Sequence, residues 1–204
     1  MNAECKKKSV YRTMKELLSH INSPQDLATI RNSIRNSVDE SYMEATGVWP
    51  ILFPYIPEEY LGCGFLSYEE KALLIALQLY ACGQQGSNKI ENDDKSISFG
   101  KSLSLIKKED STSLDRRFNT MLTATTFDEL TYHLRQLFKL GKNDNKFSVN
   151  FPKLAEDLFC YQIGKNKQII LKWAKDYYQK TTKDYSEQEF RLDTNNIDEK
   201  KEAV

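Results

Sequence analysis

The sequence predicts an all-α protein, a two-lobed helical bundle of about eight helices with a packed aromatic and proline-rich connection and a disordered acidic C-terminal tail. Three observations favour this fold. Apolar residues return at steps of three and four along most of the chain, which is the spacing of one helical face. Helix-start signals precede several of these stretches, and no segment alternates apolar and polar residues over a useful strand length. A chain of 204 residues is long enough to bury a sizeable core.

The N-terminal helical lobe is predicted over residues 1–86. It opens with a helix at residues 6–21, and Ser23 with Pro24 then starts a second helix, because serine caps helices and proline suits their first position. The apolar side of the first helix consists of Val10, Met14, Leu17, Leu18 and Ile21.

Residues 46–66 combine helix-breaking glycines and prolines with aromatic side chains, which predicts an ordered connection packed against the first lobe. An aromatic loop could instead stack on nucleobases, but core packing is favoured because the segment has no interleaved basic residues. Ser67 and Glu70 then form a capping box that opens a central helix, apolar nearly all round, which ends at Gly83.

A flexible linker is predicted at residues 87–98, a C-terminal helical lobe at 99–182, and a disordered acidic tail at 183–204. In the C-terminal lobe, residues 112–141 form two helices joined by a tight turn, because their apolar positions follow helical spacing on both sides of it. Asn150 can cap the helix that follows.

Basic residues lie beside the apolar helix faces, and advancing 100° per residue places Arg135, Lys139 and Lys142 on one stripe. Such residues are usually only a solvated face. Their recurrence on successive helices nevertheless predicts one contiguous phosphate-binding surface made by Lys101, Arg116, Arg135, Lys139, Lys142, Lys165 and Lys167. A second patch is predicted on the first lobe from Arg31 and Arg35.

Arg117 lies near the edge of the core and has two interpretations. It could join the basic surface, or it could pair with a neighbouring acid such as Asp115 or Asp128.

Several classes of function lack their sequence signals. We find no phosphate-cradling glycine loop, no nucleophile elbow and no zinc-ligand spacing, so we expect no enzyme activity, no cofactor and no metal. The four cysteines are far apart and are expected to be reduced thiols. No apolar run approaches the roughly 18 residues that cross a bilayer, so we expect a cytoplasmic protein without membrane contact.

The order of several short segments resembles the CasB family, the small subunit of the type I-E CRISPR Cascade complex. The likeness extends from residue 67 to 180 and depends on the ordered set because no single motif is specific. The segments are Glu70-Lys71-Ala72-Leu73-Leu74, Ser98-Phe99-Gly100-Lys101-Ser102-Leu103, Arg116-Arg117-Phe118, Tyr132-His133-Leu134-Arg135-Gln136-Leu137, Val149-Asn150-Phe151 and Leu171-Lys172-Trp173-Ala174-Lys175-Asp176-Tyr177-Tyr178.

This resemblance implies a non-catalytic helical subunit, present in two copies, that contacts the backbone of crRNA and target DNA and stabilises the displaced strand. The implied partners are the other Cascade subunits, a second copy of the chain, and the crRNA, target and non-target strands without sequence preference. The contacts that it implies are Lys101, Arg116, Arg117, Arg135, Lys165 and Lys167, with Arg31 less secure.

The chain departs from the family where some relatives carry a second arginine, since Gln136 stands there, and its acidic tail would repel nucleic acid. The alternative hypothesis is a helical protein–protein adaptor whose cations are only solvated. A nuclease is a third hypothesis, which the acidic residues near Asp93 support poorly because they lie in the predicted linker.

Overall fold

The structure is a computed structural model that describes residues 3–21, 23–36, 46–84, 90–108 and 112–179, with side chains from residue 10 onward and not at 34–36. The predicted tail at 183–204 lies outside the described residues. The all-α prediction is confirmed, because the described ranges contain no strand beyond a bridge between Glu91 and Val149. The α-helices are α1 (Ala3–His20), α2 (Pro24–Asn36), α3 (Trp49–Leu52), α4 (Tyr68–Gly83), α5 (Phe99–Ser104), α6 (Thr112–Leu122), α7 (Phe127–Gly141), α8 (Phe151–Cys160) and α9 (Asn166–Tyr178).

Helix α4 is the central helix, and its burial follows from its composition. Every residue from Ala72 to Gly83 is buried, as expected for a helix without a polar face. The predicted capping box is confirmed, since the Ser67 side chain accepts from the Glu70 amide while the Glu70 carboxylate accepts from the Ser67 amide.

Packing joins distant parts of the sequence around this helix. Helix α8 packs against α1 and α4, α5 packs against α9, α2 packs against α4, and α6 and α7 pack together as a hairpin. The buried core contains residues from both predicted lobes, among them Met14 and Leu158. The lobe boundaries at residues 86 and 99 stay predictions.

The described part of the predicted flexible linker, which starts at residue 90, is held against the chain that precedes α8. The Val149 amide donates to the Ile90 carbonyl at 2.7 Å, and the Asn92 amide donates to the Val149 carbonyl at 3.0 Å. Ile90 is only 2 % exposed, so burial of this side chain adds to the two backbone bonds. Residues 87–89 lie outside the described ranges.

The aromatic connection is packed in its first part and exposed in its second. Leu52 and Tyr60 are buried, as predicted, within short helical turns. The prediction is wrong for residues 61–65, which are all exposed. The physical reason is that the backbone of this loop is held by hydrogen bonds from the Gly62 and Ser67 amides to the Glu70 carboxylate, and its side chains face solvent.

Two glycines fix the helices that carry the candidate site. A Cβ added at Gly100 would lie 2.1 Å from the Trp173 carbonyl oxygen, so only glycine lets α5 approach α9 this closely. Gly164 has φ +87° in the π-helical turn Tyr161–Lys165 that joins α8 to α9, a conformation that favours glycine.

Candidate nucleic-acid interface

The predicted stripe of cations on α7 runs along α4. Arg135 Nη2 donates to Gln78 Oε1 at 2.8 Å, and Lys142 Nζ lies 3.7 Å from Cys82 Sγ. Arg135 and Lys142 are seven residues apart on α7 and meet residues four apart on α4, so both lie on the side of α7 that adjoins α4. Lys139 is half-buried on the same stripe. The stripe therefore lies next to the contact between α7 and α4, which restricts the motion of its side chains.

Arg116 and Arg117 are both exposed on α6. Because α6 buries Leu114, Phe118 and Met121, the geometry of the helix turns Arg116 away from the core. Of the two interpretations of Arg117, the structure favours the exposed cation, since its neighbour Asp115 binds Lys107 Nζ at 2.8 Å instead.

Lys107 and Asp115 belong to an aromatic cluster that sequence reasoning missed. Lys107 Nζ lies 5.0 and 5.2 Å from the ring centroids of Tyr177 and Tyr178, within the range of a cation–π contact. The Tyr177 hydroxyl donates to Asp115 Oδ1 at 2.6 Å. This cluster ties the chain after α5 to α6 and α9, and no local pattern announces it because its members are far apart in sequence.

Charge and burial shift the pKa values in this cluster. Burial acts to raise the pKa of Asp115, but hydrogen bonds from Lys107 and Tyr177 and the charge of Lys107 outweigh it, so the net pKa falls. Burial, then the hydrogen bond to Asp115 and its charge, raise the pKa of Tyr177 well above its ordinary value. Asp115 is therefore ionised and Tyr177 protonated near neutral pH.

Side chains join α6 to the C-terminal end of α9, where the Tyr178 hydroxyl donates to Asn119 Oδ1 at 2.7 Å. A second bond joins the segments next to these helices, since the Tyr161 hydroxyl before α9 donates to the Ala124 carbonyl after α6 at 3.2 Å. Arg116 and Arg117 therefore lie level with the C-terminal part of α9, whereas Lys165 and Lys167 lie at its start. These two groups of cations are separated by most of α9, about 15 Å of helix.

The remaining predicted residues lie on other helices. Lys101 is half-buried on α5, which packs against α9, and Lys165 is half-buried while Lys167 is exposed. Arg31 is half-buried on α2, and the side chain of Arg35 lies outside the described residues. The structure thus connects the cations of α5, α6, α7 and α9 through direct helix packing, and leaves Arg31 apart on α2. That the seven predicted cations form one contiguous phosphate-binding surface, and that Arg31 and Arg35 form a second patch, stay predictions.

Lys153 on α8 is a structural lysine. Its Nζ lies 2.5 Å from Glu156 and 2.8 Å from Asp157 Oδ1, and Asp157 Oδ2 accepts from the Trp173 indole at 2.9 Å. Burial acts to lower the pKa of Lys153, but the two carboxylates outweigh it and raise that pKa above its ordinary value. This network fixes α8 to α9 and so orients the basic residues of α9.

The part of the chain that the structure describes holds neither a cluster of metal ligands nor a membrane-spanning helix. There, no three His, Cys, Asp or Glu side chains are placed to hold a metal ion. No helix in the same residues is long and apolar enough to cross a bilayer.

The chain is similar to solved structures of one family. It is 22 % identical to CasB from M. ruber over 87 % of this chain and 97 % of that chain, with a TM-score of 0.65. CasB from Thermobifida fusca is 17 % identical over 84 % of this chain and 97 % of that chain, with a TM-score of 0.62. A Cse2-family CRISPR-associated protein from Thermus thermophilus is 20 % identical over 85 % of this chain and 98 % of that chain, with a TM-score of 0.54. At these identities the likeness establishes the fold alone.

No curated protein matches the chain significantly. A family model described as CRISPR-associated protein Cse2 matches residues 26–178, three quarters of the sequence. The match contains the helices of the candidate interface, α5 to α9. The chain therefore belongs to the CasB/Cse2 family of CRISPR-associated proteins.

Proposed function

We propose that this protein is a non-catalytic small subunit of a type I-E CRISPR effector complex, in which it contacts the backbone of crRNA and target DNA and stabilises the displaced strand. Family membership supports a role in such a complex. The observation that carries the nucleic-acid contact is the charge of residues 99–178, which hold fourteen Lys and Arg against nine Asp and Glu. The excess of five positive charges is spread over α5 to α9 and the segments that join them.

The exposed pair Arg116 and Arg117 is the strongest element of this surface. Asp115, the nearest acid in sequence, is ionised and binds Lys107 and Tyr177, so it does not neutralise either arginine. Both guanidinium groups remain exposed to solvent and suit phosphate oxygens, which accept paired N–H donors.

Contacts of this kind act on any sequence, because phosphates are the same at every nucleotide. Base pairing with the guide reads the target, while the protein offsets the cost of holding the non-target strand apart. The half-buried Arg135 donates to a neutral acceptor, Gln78, which helps to orient its guanidinium. The proposed action is therefore electrostatic and requires no chemical step from the chain.

The experiment compares effector complexes that lack this chain, contain it, or contain the Arg116→Gln, Arg117→Gln double variant. We expect the wild type to increase the fraction of target DNA with an open, permanganate-reactive displaced strand, and the double variant to lose most of this increase. Arg12→Gln is the matched control, because Arg12 is an exposed cation on α1 that pairs with Glu16.

Two outcomes would contradict the proposal. If the double variant opens DNA as well as the wild type while both join the complex, the alternative of a protein–protein adaptor is favoured. If the purified chain cleaves DNA when Mg²⁺ or Mn²⁺ is added, the non-catalytic assignment is wrong.

A further inference from the structure

Residues 61–67, which we name the Phe65 loop, expose apolar side chains on an ordered backbone. Phe65 is 82 % exposed, and Leu61 is 47 % exposed. Tyr68, the first residue of α4, adds a side chain that is 52 % exposed. Isolated apolar residues are common at surfaces, but three large ones on one short segment mark an interaction site more often than solvated surface.

A buried carboxylate holds this loop in shape. Glu70 is only 3 % exposed, and its Oε2 accepts hydrogen bonds from the amides of Gly62 at 3.0 Å and Ser67 at 2.6 Å. A Cβ at Gly62 would lie 1.8 Å from the Phe65 carbonyl oxygen, and Gly64 has φ +85°, so glycine is required at both turns. The side chain of Phe65 is therefore presented by a preorganised loop, which lowers the entropy lost on binding.

Charge decides which kind of partner fits. Residues 46–70 contain no Lys or Arg and four Glu, of which Glu69 and Glu70 are buried. Among them Glu58 and Glu59, on the turn that precedes the loop, are exposed. Phosphates would be repelled here, so the stacking of nucleobases on Phe65 is disfavoured. An apolar knob with acidic neighbours instead complements a protein surface whose apolar pocket is bordered by Lys or Arg.

A second copy of the chain in a symmetric pair fits this surface less well. The cleft beside the loop, about 300 Å³ and lined by Tyr68, Lys71, Phe127, Asp128, Tyr161 and Gln162, could receive an aromatic ring. Because the cleft includes Tyr68 itself, a symmetric pair of chains would bring both loops together and place Glu58 and Glu59 of each near those of the other. Like charges that face each other across an interface oppose association.

We propose that the Phe65 loop docks this chain to a different protein subunit of the effector complex, with Phe65 inserted into an apolar pocket bordered by basic side chains. This inference rests on the proposed function, since that function supplies the complex to which the chain binds. Phe65 is the central anchor, while Glu58 and Glu59 set the charge of the border. A buried aromatic anchor of this kind carries a large share of the affinity of a protein interface.

The test titrates the full-length labelled chain into an effector complex assembled without it, with no target DNA present. We expect Phe65→Ala to weaken binding at least tenfold, and Glu58→Lys with Glu59→Lys to weaken it severalfold. Leu171→Ala is the matched control, since Leu171 is 54 % exposed but lies on the regular helix α9; its binding should equal that of the wild type. Each variant is checked for unchanged helix content and for unchanged sedimentation.

The outcomes separate this inference from the proposed function. Failure of the wild type to bind the complex would overturn the proposed function and the inference with it. Wild-type affinity for Phe65→Ala would overturn the inference alone. A change confined to self-association would identify a second copy as the occupant, and a loss confined to single-stranded DNA binding would identify nucleobases; either result overturns the inference.

Discussion

The basic helices at residues 99–178 and the acidic apolar segment at residues 46–70 carry opposite charges but are stabilised in the same way. Each depends on a buried carboxylate, Asp157 in the first and Glu70 in the second. Asp157 binds Lys153 and Trp173 and thereby fixes α9, which carries cations. Glu70 binds two backbone amides and thereby fixes the loop that presents Phe65.

The two regions therefore share a buried carboxylate as support but differ in the charge of the surface that they present. One region carries a net positive charge of five, and the other has no Lys or Arg at all. Overall neutrality therefore conceals a chain with one region suited to phosphates and another suited to a protein partner. Removing either carboxylate tests whether the two surfaces depend on rigid support.

The largest expected effect is that of Asp157→Ala. The substitution leaves the Trp173 indole without its acceptor and Lys153 with only Glu156, in a network where the Asp157 side chain is 1 % exposed. Breaking a buried ion pair costs on the order of 3 to 5 kcal/mol. We expect a loss of about 3 kcal/mol in the free energy of unfolding, measured by urea denaturation.

The matched control for this prediction is Glu16→Ala, which breaks the Arg12–Glu16 ion pair at the same four-residue spacing. Both of its side chains are more than half exposed, so we expect a loss below about 0.5 kcal/mol. Equal losses for the two variants would show that the Asp157 network does not hold the basic helices.

The second effect concerns the Phe65 loop. Glu70→Ala removes the acceptor for the Gly62 and Ser67 amides and breaks the capping box of α4. We expect a loss of about 2 kcal/mol in unfolding free energy, since each unmade hydrogen bond of a partly buried amide is costly. Amide hydrogen exchange should accelerate at Gly62 and Ser67 while that of α9 stays unchanged. Exchange that remains slow at Gly62 would mean that another group holds the loop.

The third effect is smaller and depends on pH. Tyr177→Phe removes the hydrogen bond to Asp115, and we expect it to lower stability by about 1 kcal/mol at pH 8. Burial and Asp115 raise the pKa of Tyr177, so its contribution is full below about pH 10, the value for the unfolded chain, and is lost as pH rises further. Wild-type stability should therefore fall above about pH 10, and the variant should fall less steeply.

Tyr178→Phe is the control for this pH dependence, because the Tyr178 hydroxyl binds the neutral amide oxygen of Asn119 at an exposed position. Its stability loss should be a few tenths of a kcal/mol. Most of the wild-type fall in alkaline solution should be retained, because Tyr178 is the smallest of the influences that raise the pKa of Tyr177. A parallel fall for Tyr177→Phe and the wild type in alkaline solution would contradict the role given to Tyr177.

The helices were predictable because their signals are local. Ser23, Ser67 and Asn150 each accept a hydrogen bond from an amide three residues on, as their sequence context predicts. Thr126 also caps its helix by accepting from the Glu129 amide, while the Glu129 carboxylate accepts from the amide of Thr125. Caps and helical periodicity depend on neighbours in sequence, which is why they can be read directly.

The candidate site was less predictable because its determinants are not local. The spacing of Lys153 and Asp157 is visible in the sequence, but their burial results from the packing of α8 among other helices. The exposure of Phe65 depends on the bond between Gly62 and Glu70, eight residues apart, whereas apolar loop residues are more often buried. The partners of Lys107 lie on α6 and α9, so no short stretch of sequence contains the whole cluster.

The most direct test of the phosphate-binding surface is the salt dependence of binding to single-stranded DNA. The measurement compares the wild type with the triple variant Arg116→Gln, Arg117→Gln, Lys139→Gln, and with Arg12→Gln as control. Arg135 is left intact because it also bonds Gln78.

We predict that the logarithm of the wild-type binding constant falls linearly with the logarithm of salt concentration. The magnitude of this slope should drop by about 2 in the triple variant, since each lost phosphate contact removes roughly 0.7, and should not change in Arg12→Gln. A triple variant that stays folded and keeps the wild-type slope would contradict the assignment of these cations to phosphate binding.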